Sequence, residues 1–514
     1  MTAVAIAATP SRIRTGWLLP ALLILAATVV VRWASVPYMV GVLHDDGVYL
    51  LLARSIASGE GFHYSHLIGA PAATHYPPLY PLLLAAALRV APTFPENLSF
   101  LLGLNALLVG AAAWGWWQFA TTRLEWARVP AAVSALVALV ASPVLMLAGA
   151  LISEPLFIAL LFPALLLSER AADSADRVRV VATGALIGAL MLVRTHALAL
   201  LLAYTVVLLV RKRWRDALLG FGAALVVQLP WLLWSRWASP RVPVPLEGAY
   251  GSYLGWFFHG IREGGVGFVL ATARVNIGES WLLLQDRVAA GLPTPIHHAT
   301  LAVVIVMLVA GAWSFTRRAP VTIVFAALYL GIVLVWPYSP WRFVWAVWPL
   351  VALVSMEGVH AAWIRAGRWR VAVAIVAVLP ALAFLRVELH AYATRSWRAP
   401  ARQATMQIAP VLAWVQAHTT EQDVVLSEGE QMIALYTGRK AAPPIDFTAR
   451  EYLAPPSVAE GTSRLSAMLA AVPARYVIVL APTMVSSADA LAERHPGLRR
   501  IEPLSTGAVY EVVP

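Results

Sequence analysis

Two stretches are equipped for chemistry: His44-Asp45-Asp46-Gly47-Val48-Tyr49 and, farther on, Thr74-His75-Tyr76-Pro77-Pro78-Leu79. The adjacent carboxylates follow a long apolar segment, in a chain with few charges of any kind. An acid at a membrane boundary is costly unless it meets water or a partner, so it is a functional candidate. A carboxylate at the edge of a low-dielectric cavity also suits general-base work, because desolvation raises its basicity. Neighbouring acids on a helix or tight turn point in different directions, so one of Asp45 and Asp46 can act while the other caps a helix. Asp46 is placed to cap a helix running Val48 to Ala57. The plain alternative is that both acids only cap and solubilise a loop.

Glu154 is the next anomaly, between two apolar segments in Ile152-Ser153-Glu154-Pro155. Ser153 is suited to cap the following helix, with Glu154 in a first turn that favours negative charge. The site reading is that Glu154 orients an arginine, or binds an acceptor or a divalent metal beside Asp45. Arg194 and His196 interrupt an apolar run from Val180 to Val210. Buried arginine needs an anion: Glu154, an aspartate or a lipid phosphate. Its guanidinium fork matches phosphate by donating two hydrogen bonds at once. Arg342, in Tyr338-Ser339-Pro340-Trp341-Arg342-Phe343, is a second candidate, against a plain role as a snorkelling side chain. His75 and Tyr76 are candidates to hold a phosphate or sugar hydroxyl, although a histidine beside prolines is more often structural.

No P-loop, nucleotide-binding glycine pattern or zinc-type histidine spacing occurs. The expected substrate is therefore already activated and held in the membrane. No cofactor is expected, and a divalent metal, if one is used, falls to Asp45 and Glu154.

These residues must be positioned by membrane helices. The chain is 60% hydrophobic and only 13% charged, against about 25% charged in a soluble protein. About 11 spans are predicted at roughly 20 apolar residues each, near 16–36, 97–120, 129–149, 155–168, 178–193, 197–210, 216–235, 298–315, 320–337, 343–361 and 371–386. The short apolar piece 79–90 decides the topology. If it does not cross, Arg12 and Arg14, Arg123/Arg128, Arg170/Arg177/Arg179, Arg211-Lys212-Arg213/Arg215, Arg317-Arg318 and Arg365/Arg368/Arg370 all face the cytoplasm, as insertion favours. So 79–90 is expected to lie along the outer face, with the amino terminus cytoplasmic. The candidate residues then gather on the outer side.

The 236–297 segment, with Tyr250, Tyr253, Trp256 and Trp281, is too long for a plain connection and reads as a mobile lid, or equally as an aromatic belt. From 387 to 514 the composition is that of a small soluble α/β domain, periplasmic after an odd number of spans. Strands are expected at Val424–Leu426, Tyr476–Leu480 and Val509–Val513, and helices at 403–417, 429–437 and 462–471. The net charge of +11 sits in short interhelical runs, not in a stripe with aromatics, so nucleic acid is not an expected partner. With 0 cysteines, disulfides and thiolate chemistry are excluded.

The arrangement resembles the GT-C type polytopic membrane glycosyltransferases, in particular bacterial relatives of the protein mannosyltransferases and the lipid A aminoarabinose transferases (glycosyltransferase family 39). The resemblance rests on Asp45-Asp46-Gly47-Val48-Tyr49 through Ala57-Ser58-Gly59-Glu60-Gly61, His75-Tyr76-Pro77-Pro78-Leu79, Ser153-Glu154-Pro155, Leu192-Val193-Arg194-Thr195, and Trp341-Arg342 followed by Pro349. In order and topology it covers about residues 15–385. It implies an all-α polytopic domain over 1–386, with 45–96 as its first outer loop. It also implies a sugar donor linked to polyprenyl phosphate, transfer on the periplasmic face of the inner membrane, and inversion at the anomeric carbon. The acceptor would be a protein, lipid or polysaccharide. By the same resemblance Asp45 is the base, Glu154 matches the second acidic position, and the arginines hold the departing phosphate. The family often has Asp-Glu where this chain has Asp45-Asp46, so which carboxylate acts stays open; it often has a basic residue where this chain has Tyr76, so phosphate binding there stays open between Tyr76, His75 and an arginine. Two rival readings are a transporter or flippase, and a glycan ligase using a polyprenyl-pyrophosphate donor. A transporter should show acids near the midplane and paired halves, neither of which is evident.

Overall fold

In lipid every backbone polar group must be satisfied within the protein, so apolar runs of this length fold as helices. The computed structural model describes residues 17–505 and 507–513. Arg12, Arg14 and residue 16 of the first expected span lie outside the described residues. Among the described residues five helices are long and apolar enough to cross a membrane: Leu98–Thr122, Glu154–Asp173, Trp214–Trp237, Thr294–Arg318 and Gly367–Thr394. Helices Arg128–Leu139 and Ser142–Ala148 make a sixth if counted as one span, bent by 60°. About 11 spans were expected at roughly 20 residues each; several of the others are shorter apolar helices, among them Leu18–Ala34, Thr195–Val210 and Pro320–Val335.

Burial ranks these helices. Glu154–Asp173 is 78% buried over its most apolar window and runs through the centre of the bundle, whereas Gly367–Thr394 is 17% buried and lies at the edge. Edge helices turn large apolar side chains outward, Val226 and Val371 among them, as a lipid-facing surface requires. Close packing uses small residues: a Cβ on Gly311 would lie 1.8 Å from the Val354 carbonyl oxygen, so the two helices meet backbone to backbone.

The 79–90 piece forms the helix Leu79–Val90. Its 12 residues reach about 18 Å, short of the roughly 30 Å hydrocarbon core. It packs against the helix Asp45–Ala57. At the far end of the bundle several of the basic loops meet: Arg123 and Arg211 both pair with Asp173, and Arg318 donates to the Leu124 carbonyl at 2.7 Å.

The expected lid is ordered helix rather than loose loop. It contains Glu247–Tyr250 and the long helix Tyr253–Val288, kinked where Gly265 takes a positive φ of 60°.

The C-terminal region carries a five-stranded sheet in the order β2-β1-β3-β5-β4, with β1 (Val424–Ser427), β2 (Lys440–Ala442), β3 (Tyr476–Val479), β4 (Leu498–Leu504) and β5 (Gly507–Val512). β1 pairs in parallel with β2 and β3, whereas β5 is antiparallel to β3 and β4. Sequence patterning picks out β1, β3 and β5 and misses the short β2 and the polar edge strand β4. Helices Ala399–His418, Glu430–Thr437, Val458–Ala471 and Pro482–Ala492 pack around it.

This region sits directly on the first loop. Val40 donates to the Tyr436 hydroxyl at 2.8 Å, Gln431 Nε2 to the Gly41 carbonyl at 3.0 Å, and Ala441 to the His66 carbonyl at 3.0 Å. A Cβ on Gly47 would stand 2.5 Å from Gln431 Cγ and 3.0 Å from Gly41 Cα. The glycine of the Asp-Asp-Gly triplet is therefore where the C-terminal helix presses in.

Candidate active site

The helix bearing the paired acids starts at Asp45, not at Val48 as expected. His44 is its N-cap, with φ 63°. Both acids fall in its first turn, where the peptide dipoles favour negative charge. Asp46 turns back into the protein: its carboxylate accepts from the Tyr38 hydroxyl at 2.8 Å, Gly41 N at 2.9 Å and Leu43 N at 3.0 Å. It thus latches the 38–43 loop. Burial pushes its carboxyl above the usual range against those hydrogen bonds.

Asp45 turns the other way, into a cavity of about 390 Å³. Its Oδ2 lies 2.8 Å from Arg342 Nη1, and Oδ1 accepts from the Tyr76 hydroxyl at 3.1 Å. Burial works to raise its carboxyl, but Arg342, the nearby His44 and these two bonds hold it below the usual range. Arg342 sits in the short helix Trp341–Ala346 after Pro340 and is only 6% exposed, so it does not snorkel. Its Nε reaches Glu154 Oε1 at 2.9 Å.

Glu154 opens the central helix, with Ser153 as N-cap residue. Ser153 makes no capping bond; its hydroxyl instead accepts from Tyr49 and Arg194, each at 3.2 Å. Arg194 comes from a break in the apolar run: the helix Arg177–Met191 stops, Arg194 is extended (φ −147°), and a 3-10 turn Thr195–Ala197 follows. Arg194 Nη1 then reaches Glu154 Oε1 at 2.8 Å. Two carboxylates and two guanidinium groups therefore form one buried chain, Asp45–Arg342–Glu154–Arg194, whose formal charges cancel. Among the described residues Glu154 Oε2, Arg194 Nε and Arg342 Nη2 have no hydrogen-bond partner. Arg342 Nη2 does lie 2.9 Å from Glu154 Oε1, without hydrogen-bond geometry.

His75 Nδ1 donates to the Gly251 carbonyl at 2.8 Å, which fixes the tautomer. Burial pushes this histidine down to about 4, so the ring is neutral and Nε2 carries a lone pair. It is thus built to accept from a hydroxyl rather than to donate to a phosphate. His196 packs its ring 4.7 Å from that of Phe343 and lines the cavity beside Arg194. Seven of the expected residues therefore converge: Asp45, His75, Tyr76, Arg194, His196 and Arg342 line the cavity, and Glu154 lies beneath it.

Aromatic residues, two of them from the expected lid, and two acids that the sequence did not point to complete the walls. Tyr253, Trp256, Trp336 and Tyr338 make an aromatic side, and Glu428 and Glu430 come from the C-terminal region. Glu430 accepts from the Tyr250 hydroxyl at 2.7 Å, and that oxygen in turn faces His66 Nε2 at 3.1 Å. Nothing local in the sequence ties Gln431, beside Glu430, to Gly41, 390 residues earlier.

The expected metal position does not suit these residues. Asp45 and Glu154 already face guanidinium groups, and among the described residues no three His, Asp, Glu or Cys side chains are grouped to hold an ion.

A mostly helical bundle with an acid-bearing first loop and a small sheet roofing the cavity defines a polytopic membrane protein with a C-terminal sheet domain. The chain is similar over nearly its whole length to the crystal structure of ArnT from Cupriavidus metallidurans bound to undecaprenyl phosphate. The TM-score is 0.52 at 14% identity, covering 97% of this chain and 98% of that one. The apo structure of the same ArnT gives a TM-score of 0.51 at 14% identity, covering 96% and 98%. No protein-family model matches the sequence, and no curated protein matches it.

Proposed function

We propose that this protein is an inverting glycosyltransferase that moves a sugar from a polyprenyl-phosphate carrier to an acceptor hydroxyl. The observation that carries the reading is the buried chain Asp45–Arg342–Glu154–Arg194 at one end of a cavity in a membrane bundle. The likeness to a protein crystallised with undecaprenyl phosphate supports a lipid-linked donor.

The donor phosphate docks against Arg194 and Arg342, of which Arg194 Nε and Arg342 Nη2 have no hydrogen-bond partner among the described residues. Glu154 keeps both arginines in place without reaching the reacting atoms. As the phosphate draws on Arg342, the grip on Asp45 loosens and the carboxylate becomes a stronger base. The acceptor oxygen attacks the anomeric carbon while its proton passes to Asp45. The anomeric carbon–oxygen bond breaks with its electron pair, which leaves on the polyprenyl phosphate. One displacement inverts the centre, and the arginines stabilise the charge that grows on the leaving phosphate. Neutral His75 accepts from a sugar hydroxyl. Asp46 serves this chemistry by fixing the loop that carries Asp45.

In this reading residues 1–386 form the catalytic membrane domain, and 387–514 form a periplasmic domain that closes the cavity, in a bacterial inner membrane. The test is transfer of labelled sugar from a synthetic polyprenyl-phosphate sugar by protein in proteoliposomes, with mass analysis of the released lipid. Release of polyprenyl monophosphate, abolished in Asp45→Asn, is expected. Release of a pyrophosphate, or undiminished transfer in Asp45→Asn, overturns the reading.

A further inference from the structure

Arg395, Arg398 and Arg402 follow the edge helix Gly367–Thr394, at the end of the bundle that carries the candidate site. Membrane proteins concentrate positive charge on one side, and here the basic loops around Asp173 occupy the opposite end, so this second cluster needs its own reason. Arg398 donates through Nε and Nη2 to the Ala34 carbonyl at 3.1 and 2.6 Å, closing the end of the helix Leu18–Ala34. The guanidinium of Arg395 lies 5.8 Å from the Trp33 ring centre, and Arg32 donates to the Ser35 carbonyl at 3.3 Å. Among the described residues no carboxylate is in ion-pair contact with any of these four arginines. Burial, together with repulsion from Arg395 and Arg402, pushes Arg398 below the usual arginine range.

Arg398 and Arg402 border a second cavity of about 690 Å³, apart from the first, whereas Arg32 and Arg395 stand outside its lining. Its wall is apolar, with Met39, Val42, Leu145, Met146, Trp397 and Met406; Glu96 also faces it and is exposed. Trp33, Tyr392 and Trp397 pack together beside it, the aromatic signature of a membrane–water boundary. Cations that make no ion pair beside an apolar cavity suit an anionic headgroup joined to a hydrocarbon chain.

We propose that this cavity holds an anionic membrane phospholipid, its phosphate on Arg398 and Arg402, with Arg395 adding positive charge nearby, and one acyl chain against Met39, Leu145 and Met406. The lipid ties the edge helix to the helix Ala399–His418, and through it to the sheet that roofs the active site. Tyr38 lines this cavity and also holds Asp46 and Leu151 N, so occupancy steadies the loop that carries Asp45.

The test uses the full chain in detergent, titrated with phosphatidylglycerol or phosphatidylcholine in mixed micelles, with native mass spectrometry and thermal unfolding as readouts. Phosphatidylglycerol is expected to be retained and to raise Tm, and phosphatidylcholine is not. Arg395→Gln/Arg402→Gln spares the bonds of Arg398 to Ala34 and should weaken retention about 30-fold, at roughly a factor of five for each arginine near an anionic surface. Arg177→Gln/Arg215→Gln, at the opposite end, should leave it unchanged. Equal responses to the two lipids, an equal Tm rise with inorganic phosphate alone, or full retention by the first variant overturns the proposal. None of these readouts depends on sugar transfer.

Discussion

Arg342 holds both acids of the cavity floor at once, with Nη1 2.8 Å from Asp45 Oδ2 and Nε 2.9 Å from Glu154 Oε1. The two carboxylates are not equivalent, because the Asp45 side chain is 24% exposed to the cavity and that of Glu154 is fully buried. One arginine thus links a group that substrate can touch to a group that only the protein touches.

That asymmetry separates two variants. Asp45→Asn should keep the fold and lower transfer by about 10²–10⁴-fold, the usual loss of a general base. Glu154→Gln leaves two buried arginines with too little counter-charge and should destabilise by roughly 3–5 kcal/mol. Thermal unfolding beside transfer assays checks the pair. Equal Tm losses in the two variants would contradict the division of roles.

Asp46 predicts the reverse pattern. Asp46→Ala strands the Tyr38 hydroxyl and the Gly41 and Leu43 N–H groups, each costing about 1–3 kcal/mol when buried and unpaired. Asp46→Asn keeps an acceptor oxygen and should recover part of both stability and transfer. An Asp46→Asn protein with native Tm and no transfer would instead make Asp46 the base.

Acid should loosen the contact between the first loop and the rest of the cavity wall. Burial pushes His75 down to about 4 and His66 down to about 3, from an ordinary 6.5. The unfolded chain takes up these protons as pH falls below 6.5 while the folded chain does not. Their contribution is therefore complete above that value and is lost as pH falls toward 4. A His66→Gln/His75→Gln protein should start less stable but show a shallower decline over that window. An unchanged slope of Tm against pH would show that other groups set it.

Much of the site was legible in the sequence because charge is so scarce in this chain. Asp45, Glu154, Arg194 and Arg342 each stand out where lipid-facing or core residues would be apolar, and the cost of burying them alone requires that they meet. Helix-forming runs and the soluble C-terminal composition follow from the same contrast. The division of labour within Asp45-Asp46 was not legible, since it depends on which way each side chain leaves a turn set by His44 at positive φ. Nor could local pattern place Glu430, Tyr250 and Gln431 against the first loop, or distinguish a helical Tyr253–Val288 from a loose lid. Those contacts join residues far apart in the chain. They exist only because the sheet region packs onto Gly41 and Gly47, where absent side chains leave room for the Gln431 and Met432 side chains.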